Sequence, residues 1–166
     1  MTMYELKPLS KEAIPKALER ADRYRLLNEP AEAESICLDI LAAEPENQRA
    51  LVTMILALTD QFGQQRFAVG EGRCEEFVRR LRDEYERAYY AGVVCERRGK
   101  AAFGHHMSGP IGYEAFREAM EWYEKAERIR PPGNDDAVLR WNTCARILAH
   151  NRELKPSEEE RVEYLE

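Results

Sequence analysis

Two adjacent histidines, His105 and His106, precede Met107, and adjacent histidines on a loop can reach one metal ion. Imidazole nitrogens and sulfur atoms are ligands for soft transition metals, and Cys95 or Cys144 could complete a site if the fold brings one of them close. No third ligand follows at a fixed local spacing, so two exposed histidines in a loop are the simpler interpretation. We therefore expect no metal and no cofactor, and we keep His105 and His106 as candidates for a metal- or redox-linked alternative.

Patterns typical of enzymes are missing from the sequence. Three histidines leave little material for a Ser-His-Asp or Cys-His-Asn arrangement. Lys100 follows Gly99, but the upstream glycine and the following Ser or Thr of a phosphate-binding loop are absent. We expect no enzymatic activity.

The four cysteines show no short paired spacing, so the sequence contains neither a zinc ribbon nor a redox CxxC motif. Cys37, Cys95 and Cys144 fall on apolar helix faces, where cysteine usually acts as a small hydrophobic residue. Cys74 follows a glycine-rich stretch, and we expect it to be the exposed one.

A helical pattern over residues 17–58 provides the clearest information about the elements that position these side chains. The first helix carries Ala21 and Tyr24, the second begins near Ala33, and Pro45 closes the unit. Counting one period of about 34 residues onward from Ala17, Ala21 and Tyr24 reaches Leu51, Ile55 and Leu58, as a helical-hairpin repeat would produce.

This pattern resembles the tetratricopeptide (TPR) repeat, a helical hairpin with a small residue and an aromatic in the first helix, an alanine early in the second and a closing proline. The sequence departs from the family at Ala17, Cys37 and Ile40, where the family prefers Trp, an aromatic and Ala. A closer match to the second helix occurs later in the chain, at Ala119, Tyr123, Ala126 and Pro131.

The resemblance implies an all-α fold of antiparallel helical hairpins stacked as a right-handed solenoid, with about seven helices and a C-terminal capping helix. The glycine-rich residues 63–72 are expected to be a loop insertion and the segment 100–112 a second insertion, and we expect both to carry specificity. The segment Arg73–Gly99 is divided near Arg82, although one unbroken helix is the alternative. The single domain, 1–166, then comprises repeat one (14–47), repeat two (48–84), repeat three (85–133), the capping helix (134–150) and an acidic tail (151–166).

In the TPR family the first helices line a concave groove that binds a peptide or helix of a partner protein. The groove positions are one residue after the packing positions, and together they give an apolar centre with a few charges, as an amphipathic peptide requires. Packing of Leu56 and Tyr90 against neighbouring helices is the alternative. The predicted groove residues are Leu18, Asp22, Arg25, Arg49, Val52, Leu56, Tyr89, Tyr90, Val93 and Arg97.

One TPR variant, which grips the C-terminal carboxylate of chaperones, is disfavoured. Its Lys/Asn clamp would fall on Leu18, Asp22 and Thr53 in this sequence. The carboxylate of Asp22 would repel the ligand's carboxylate.

Composition agrees with a helical adaptor or scaffold. The 166 residues have a formal net charge of −6, which argues against nonspecific binding to nucleic acid or anionic membranes. No stretch offers the roughly 20 apolar residues of a membrane span, and the first residues lack the build of a secretory signal. We expect a cytoplasmic protein that binds another protein, with self-association through Tyr89 and Tyr90, or a chaperone-like role, as further alternatives.

Overall fold

The computed structural model describes residues 3–64, 67–104 and 109–157, with the backbone alone for 67–71. Every regular element within these residues is helical, so the prediction of an all-α chain with about seven helices is confirmed for them. None of the described helices is long and apolar enough to cross a membrane. After a short 3₁₀ turn the helices are α1 (Ile14–Leu26), α2 (Pro30–Ala43), α3 (Gln48–Asp60), α4 (Phe67–Arg79), α5 (Glu84–Gly104), α6 (Gly109–Arg128) and α7 (Asp136–His150).

Local sequence sets the ends of the first three helices. Pro15 lies in the first turn of α1, where its missing N–H costs no hydrogen bond. Asn28 adopts a positive φ of 60°, which asparagine tolerates, and α2 starts two residues later at Pro30. Asn47 caps α3, because its side-chain oxygen accepts a hydrogen bond from the backbone N–H of Ala50 at 2.9 Å.

The predicted break near Arg82 is confirmed, and the alternative of one long helix is wrong. α4 ends at Arg79 and α5 begins at Glu84. Asp83 accepts a hydrogen bond from the backbone N–H of Glu86 at 3.2 Å, as a capping residue does. The guanidinium of Arg87 donates to the carbonyls of residues 81 and 82 at 2.7 Å, so the turn is held from inside α5.

The predicted loop insertion at 63–72 is wrong over 67–72, which belong to α4. A glycine costs a helix only about 1 kcal/mol relative to alanine. The same helix buries Cys74, Phe77 and Val78 in a hydrophobic cluster, and that packing outweighs the cost of its glycines. The second predicted insertion, 100–112, is also mostly helical: α5 continues to Gly104 and α6 begins at Gly109, and 105–108 lie outside the described residues.

Each helix packs against the next along the chain, and α3 also contacts α1 and α5. The buried side chains form two clusters. The first lies among α1–α4 and includes Val94 of α5, whereas the second lies among α5–α7 and includes the neighbouring Cys95. α5 therefore lies between the two clusters and contributes residues to both.

Two glycines on α5 allow α6 to approach closely. A Cβ atom on Gly92 would lie 2.5 Å from the ring of Tyr123, and one on Gly99 would lie 3.0 Å from the ring of Phe116. Gly99 lies seven residues after Gly92 on α5, whereas Phe116 lies seven residues before Tyr123 on α6. The two helices are therefore antiparallel.

The predicted capping helix at 134–150 corresponds to α7, and the segment after it returns to α6. Leu154 is 5% exposed and belongs to the second cluster, and a Cβ on Gly112 would lie 2.7 Å from its side chain. The first part of the predicted acidic tail is therefore packed against the core. Residues 158–166 lie outside the described part of the chain.

Candidate functional site

The predicted groove residues lie on α1, α3 and α5, and we call the side of these helices that carries Asp22, Asp60 and Arg97 the first-helix face. Two of the predictions need correction, since Leu18 is 6% exposed and Val93 is 1% exposed. Both side chains fill the hydrophobic clusters and offer a partner almost no surface. The other eight predicted residues keep part of their surface accessible.

Asp22 on α1 forms its side-chain contacts with α3. Its carboxylate accepts a hydrogen bond from Arg49 Nη2 at 2.7 Å and another from Thr53 Oγ1 at 3.1 Å. Three of the positions considered from the sequence therefore form one small polar group, and the charge of Asp22 is balanced within the chain.

Asp60 links three helices and was not predicted. Its two oxygens accept from Arg25 Nε on α1 and Arg97 Nη1 on α5, both at 2.9 Å. The carboxylate is 18% exposed, so both ion pairs are partly shielded from water. The sequence did contain a signal, because Asp60 lies one turn after the predicted residue Leu56 and shares its helix face.

Glu96 on α5 is fully buried, at 0% exposure. One of its oxygens accepts from Lys100 Nζ at 2.7 Å and Arg140 Nη1 at 3.1 Å. The other accepts from the Tyr123 hydroxyl at 3.1 Å and lies 3.7 Å from the Cys144 thiol. This buried carboxylate therefore ties α5 to α6 and α7, and the stretch CERRGK gave no sign that its glutamate lies in the interior.

Cys144 and Tyr123, two of the groups that contact Glu96, have raised pKa values. Burial, followed by the charge of Glu96, raises the pKa of the Cys144 thiol to about 12. The same two causes raise the pKa of Tyr123 well above its ordinary value. Both groups stay protonated near neutral pH and donate to the carboxylate, so the cluster offers neither a thiolate nor a phenolate nucleophile.

A patch of four half-buried apolar and aromatic side chains lies between these polar groups. Val52 and Leu56 are one turn apart on α3, and Tyr89 and Tyr90 are neighbours on α5, with ring centroids 5.1 Å apart in a T-shaped arrangement. Tyr90 packs against both hydrophobic clusters. We call these four residues the tyrosine patch. The described residues show such a patch bordered by ion pairs and do not show a partner-binding groove.

The metal candidates His105 and His106 lie outside the described residues. Within the described ranges there is no group of three or more His, Cys, Asp or Glu side chains that could hold a metal ion. The earlier expectations for the cysteines are confirmed at Cys37, Cys95 and Cys144, and wrong at Cys74, which is buried in the face of α4 that packs on the core.

A cavity of about 450 Å³ lies on the other side of α5, between α4 and α6, and was not predicted. Its floor contains Cys95, whose pKa burial raises to about 12, so this thiol is unreactive near neutral pH. The ring of Trp122 forms part of a wall, with Lys125 Nζ 5.1 Å from its centroid. The cavity is lined by Glu75, Val78, Arg79, Glu84, Arg87, Ala88, Ala91, Val94, Cys95, Arg98, Glu118, Trp122 and Lys125.

No family model, no curated protein and no solved structure matches this chain. The resemblance to TPR repeats therefore stays a prediction from the sequence of this chain. Ala21 and Ala33 are fully buried, and Gly92 contacts the ring of Tyr123, as small residues that pack between helices should.

Proposed function

We propose that this protein is a TPR-like helical adaptor or scaffold, without enzymatic activity, that binds a peptide or helix of another protein on the first-helix face. The observation that carries the proposal is the tyrosine patch (Val52, Leu56, Tyr89 and Tyr90), whose members keep accessible surface although they pack against one or both hydrophobic clusters. A cytoplasmic location is part of the proposal, and four thiols without a disulfide support it.

The packing order supports a stack of hairpins. Each helix contacts its neighbour in the chain, and α3 contacts both α1 and α5. Such nearest-neighbour contacts are typical of solenoids, in which repeated units offer an extended surface to a ligand. In this arrangement the first-helix face is built from corresponding helices of successive hairpins.

The residue types of the tyrosine patch suit a protein interface. Tyrosine is enriched among the residues that contribute most to binding, because a large rigid side chain provides contact area and a polar tip together. The ion pairs of Asp22 and Asp60 border the patch, and such charges orient a partner more than they strengthen its binding.

A photo-crosslinking amino acid at Val52 tests the proposal in cells that express the protein. We expect irradiation to yield a covalent complex with a second polypeptide, to be identified by mass spectrometry. Leu38 provides the control site, since it is 47% exposed on α2, away from the patch. The double substitution Leu56→Glu and Tyr90→Glu should abolish the Val52 product while circular dichroism shows unchanged helicity.

Three outcomes would contradict the proposal. One is the absence of any product at Val52, and another is a product formed equally from Leu38. The third is a Val52 product that survives the double substitution. A product with the mass of two copies of this chain would identify the partner as a second copy.

A further inference from the structure

Positive charge is in excess on part of the first-helix face, although the whole chain carries a net charge of −6. The carboxylate of Asp60 is shared by Arg25 and Arg97. The carboxylate of Glu96 is likewise shared by Lys100 and Arg140. Among the described residues, four cations thus face two carboxylates and leave a surplus of two positive charges.

These six residues form one continuous group, which we call the cation cluster. Arg97 and Lys100 are three residues apart on α5 and therefore lie side by side on its surface, joining the two shared carboxylates. The four cationic side chains are 21–41% exposed, so water compensates their charge only in part. Within the described residues Arg97 Nε is buried and has no hydrogen-bond partner.

The free protein tolerates this surplus partly through its helix ends. Arg25 lies in the last turn of α1, and Asp60 is the last residue of α3. Carbonyl groups at helix C-termini carry partial negative charge that stabilises nearby cations. Within the part of the chain that the structure describes, no further carboxylate pairs with these four cations, so an additional anion would complete their compensation.

The opposite end of the tyrosine patch is acidic. Glu86 and Asp136 lie near Tyr90, and after burial and the neighbouring Tyr89 their charges help to raise its pKa to about 12. The face therefore changes from negative to positive along α5, with Tyr89 and Tyr90 between the two ends. This difference in charge would favour one orientation of a bound segment along the face.

We propose that the partner segment is an acidic peptide, with carboxylate side chains that bind Arg97 and Lys100 and an apolar side chain that packs on the tyrosine patch. This inference depends on the proposed function, since it specifies the chemistry of the partner at the same face. The carboxylates would use donors that Asp60 and Glu96 leave unoccupied, and an Arg97 guanidinium has five in all.

Selection from a display library of random short peptides on the immobilised protein tests the inference without knowledge of the natural partner. We expect the selected sequences to combine an apolar residue with Asp or Glu on one side of it. Replacement of those acids by Asn and Gln should weaken binding to the wild-type protein at least about tenfold. Added salt should weaken it as well, because exposed charges are screened.

The matching protein variant is Arg97→Gln with Lys100→Gln, which removes the surplus and leaves each carboxylate one arginine partner. Its control is Lys16→Gln with Arg23→Gln on α1, two exposed residues with no side-chain ion pair in the described structure. Both variants change the net charge equally. We expect at least about tenfold loss of affinity for the selected peptides in the first variant, and none in the control.

The outcomes separate the two proposals. Selected peptides that lack acids, or that bind both variants equally and ignore salt, would overturn the acidic partner; if Leu56→Glu still abolishes their binding, the proposed function stands. Selection of no peptide, or of peptides that tolerate Leu56→Glu, would overturn both. Should Arg97→Gln with Lys100→Gln unfold the protein, the peptide substitutions and salt dependence on the wild type decide.

Discussion

Glu96 has no contact with solvent, so the groups that donate to it must stabilise its charge. Replacement by alanine would leave Arg140, Tyr123 and Cys144 without their acceptor. Breaking a buried ion pair in this way typically costs about 3–5 kcal/mol. We expect Glu96→Ala to lower the free energy of unfolding by about that amount, measured by urea denaturation.

Glu118 provides the control for this prediction. It pairs with Arg98 across α5 and α6, but its side chain is 48% exposed. Exposed ion pairs contribute about 0–1 kcal/mol. Equal losses of stability in Glu96→Ala and Glu118→Ala would show that the buried carboxylate has no special role.

The buried thiols predict how stability depends on alkaline pH. Burial is the main cause that raises the pKa of Cys37, Cys95 and Cys144 from the ordinary 9.0 to about 12. Below pH 9 the folded and unfolded chains hold these protons equally. Between pH 9 and 12 the unfolded chain releases protons that the folded chain keeps, so the free energy of unfolding falls by about 1.4 kcal/mol per pH unit for each thiol.

Urea denaturation over a pH series measures this slope directly. Cys95→Ala removes one titrating thiol and should reduce the slope by about 1.4 kcal/mol per pH unit. Tyr90, with its pKa raised from 10.0 to about 12 mainly by burial, adds to the slope above pH 10. A free energy of unfolding that stays constant between pH 9 and 12 would mean that the thiols are exposed to water in the folded protein.

At the scale of single residues the sequence predicted apolar burial better than polar contacts. Cys37 and Cys144 were assigned to inner faces because their helices have a regular apolar spacing. Asp60 and Glu96 were missed because all of their partners except Lys100 are 27 to 48 residues away along the chain. Such pairs depend on how helices stack, which local spacing does not encode.

Two glycines at the scale of the helix should respond oppositely to alanine. In α4 an added Cβ on Gly72 meets nothing within 4 Å, so Gly72→Ala should raise the free energy of unfolding by about 1 kcal/mol through helix propensity. In α5 an added Cβ on Gly92 would lie 2.5 Å from the buried ring of Tyr123. Overpacking costs about 1–3 kcal/mol, which exceeds the propensity gain.

Thermal and urea unfolding of the two variants check this prediction. Gly72→Ala should unfold at a higher midpoint than the wild type, and Gly92→Ala at a lower one. Shifts of the same sign would mean that helix propensity alone governs both positions and that α6 does not lie against Gly92.

Helix positions were predictable to the extent that strong local signals exist. Pro15, Pro30 and Pro45 marked the ends of α1 and α2, and the division near Arg82 followed from a repeated small-residue order. The glycines before Arg73 misled the assignment of α4, because glycine weakens a helix without forbidding it. Tertiary packing of Cys74 and Phe77 decided that case.

For the whole molecule we expect unequal stability along the chain. Eight of the residues of α3 are buried, whereas α7 buries only Ala137 and Cys144. In stacked helices each unit is stabilised by its neighbours, and the last one has a neighbour on one side only. Hydrogen exchange followed by mass spectrometry should find the slowest amides in α3 and faster exchange in α7.

Uniform protection from α3 to α7 would contradict this expectation and would indicate that the chain opens as one cooperative unit. α5 is the informative helix, because Val94 and Cys95 belong to different clusters. Protection of α5 as strong as that of α3 would show that the two cores are coupled through it.

The architecture of the whole chain was predicted only in its coarser part. A period of about 34 residues indicated helical hairpins, and the described residues are all helical with sequential packing. The cavity between α4 and α6 and the return of Leu154 to the second core were not predicted. Both depend on the distances between helices, which the types of single residues leave open.

The positions of the cysteines have a practical consequence. One buried thiol lies in each of α2, α4, α5 and α7, so the native chain already carries four reporters at intervals along its length. Cys37, Cys74 and Cys144 have no exposed surface, so an alkylating reagent can reach these sulfurs only when the surrounding helices separate, whereas Cys95 also borders the cavity between α4 and α6. Short labelling pulses, with the modified peptides identified by mass spectrometry, would therefore reveal which end of the molecule opens first. The experiment needs no substitution in the chain.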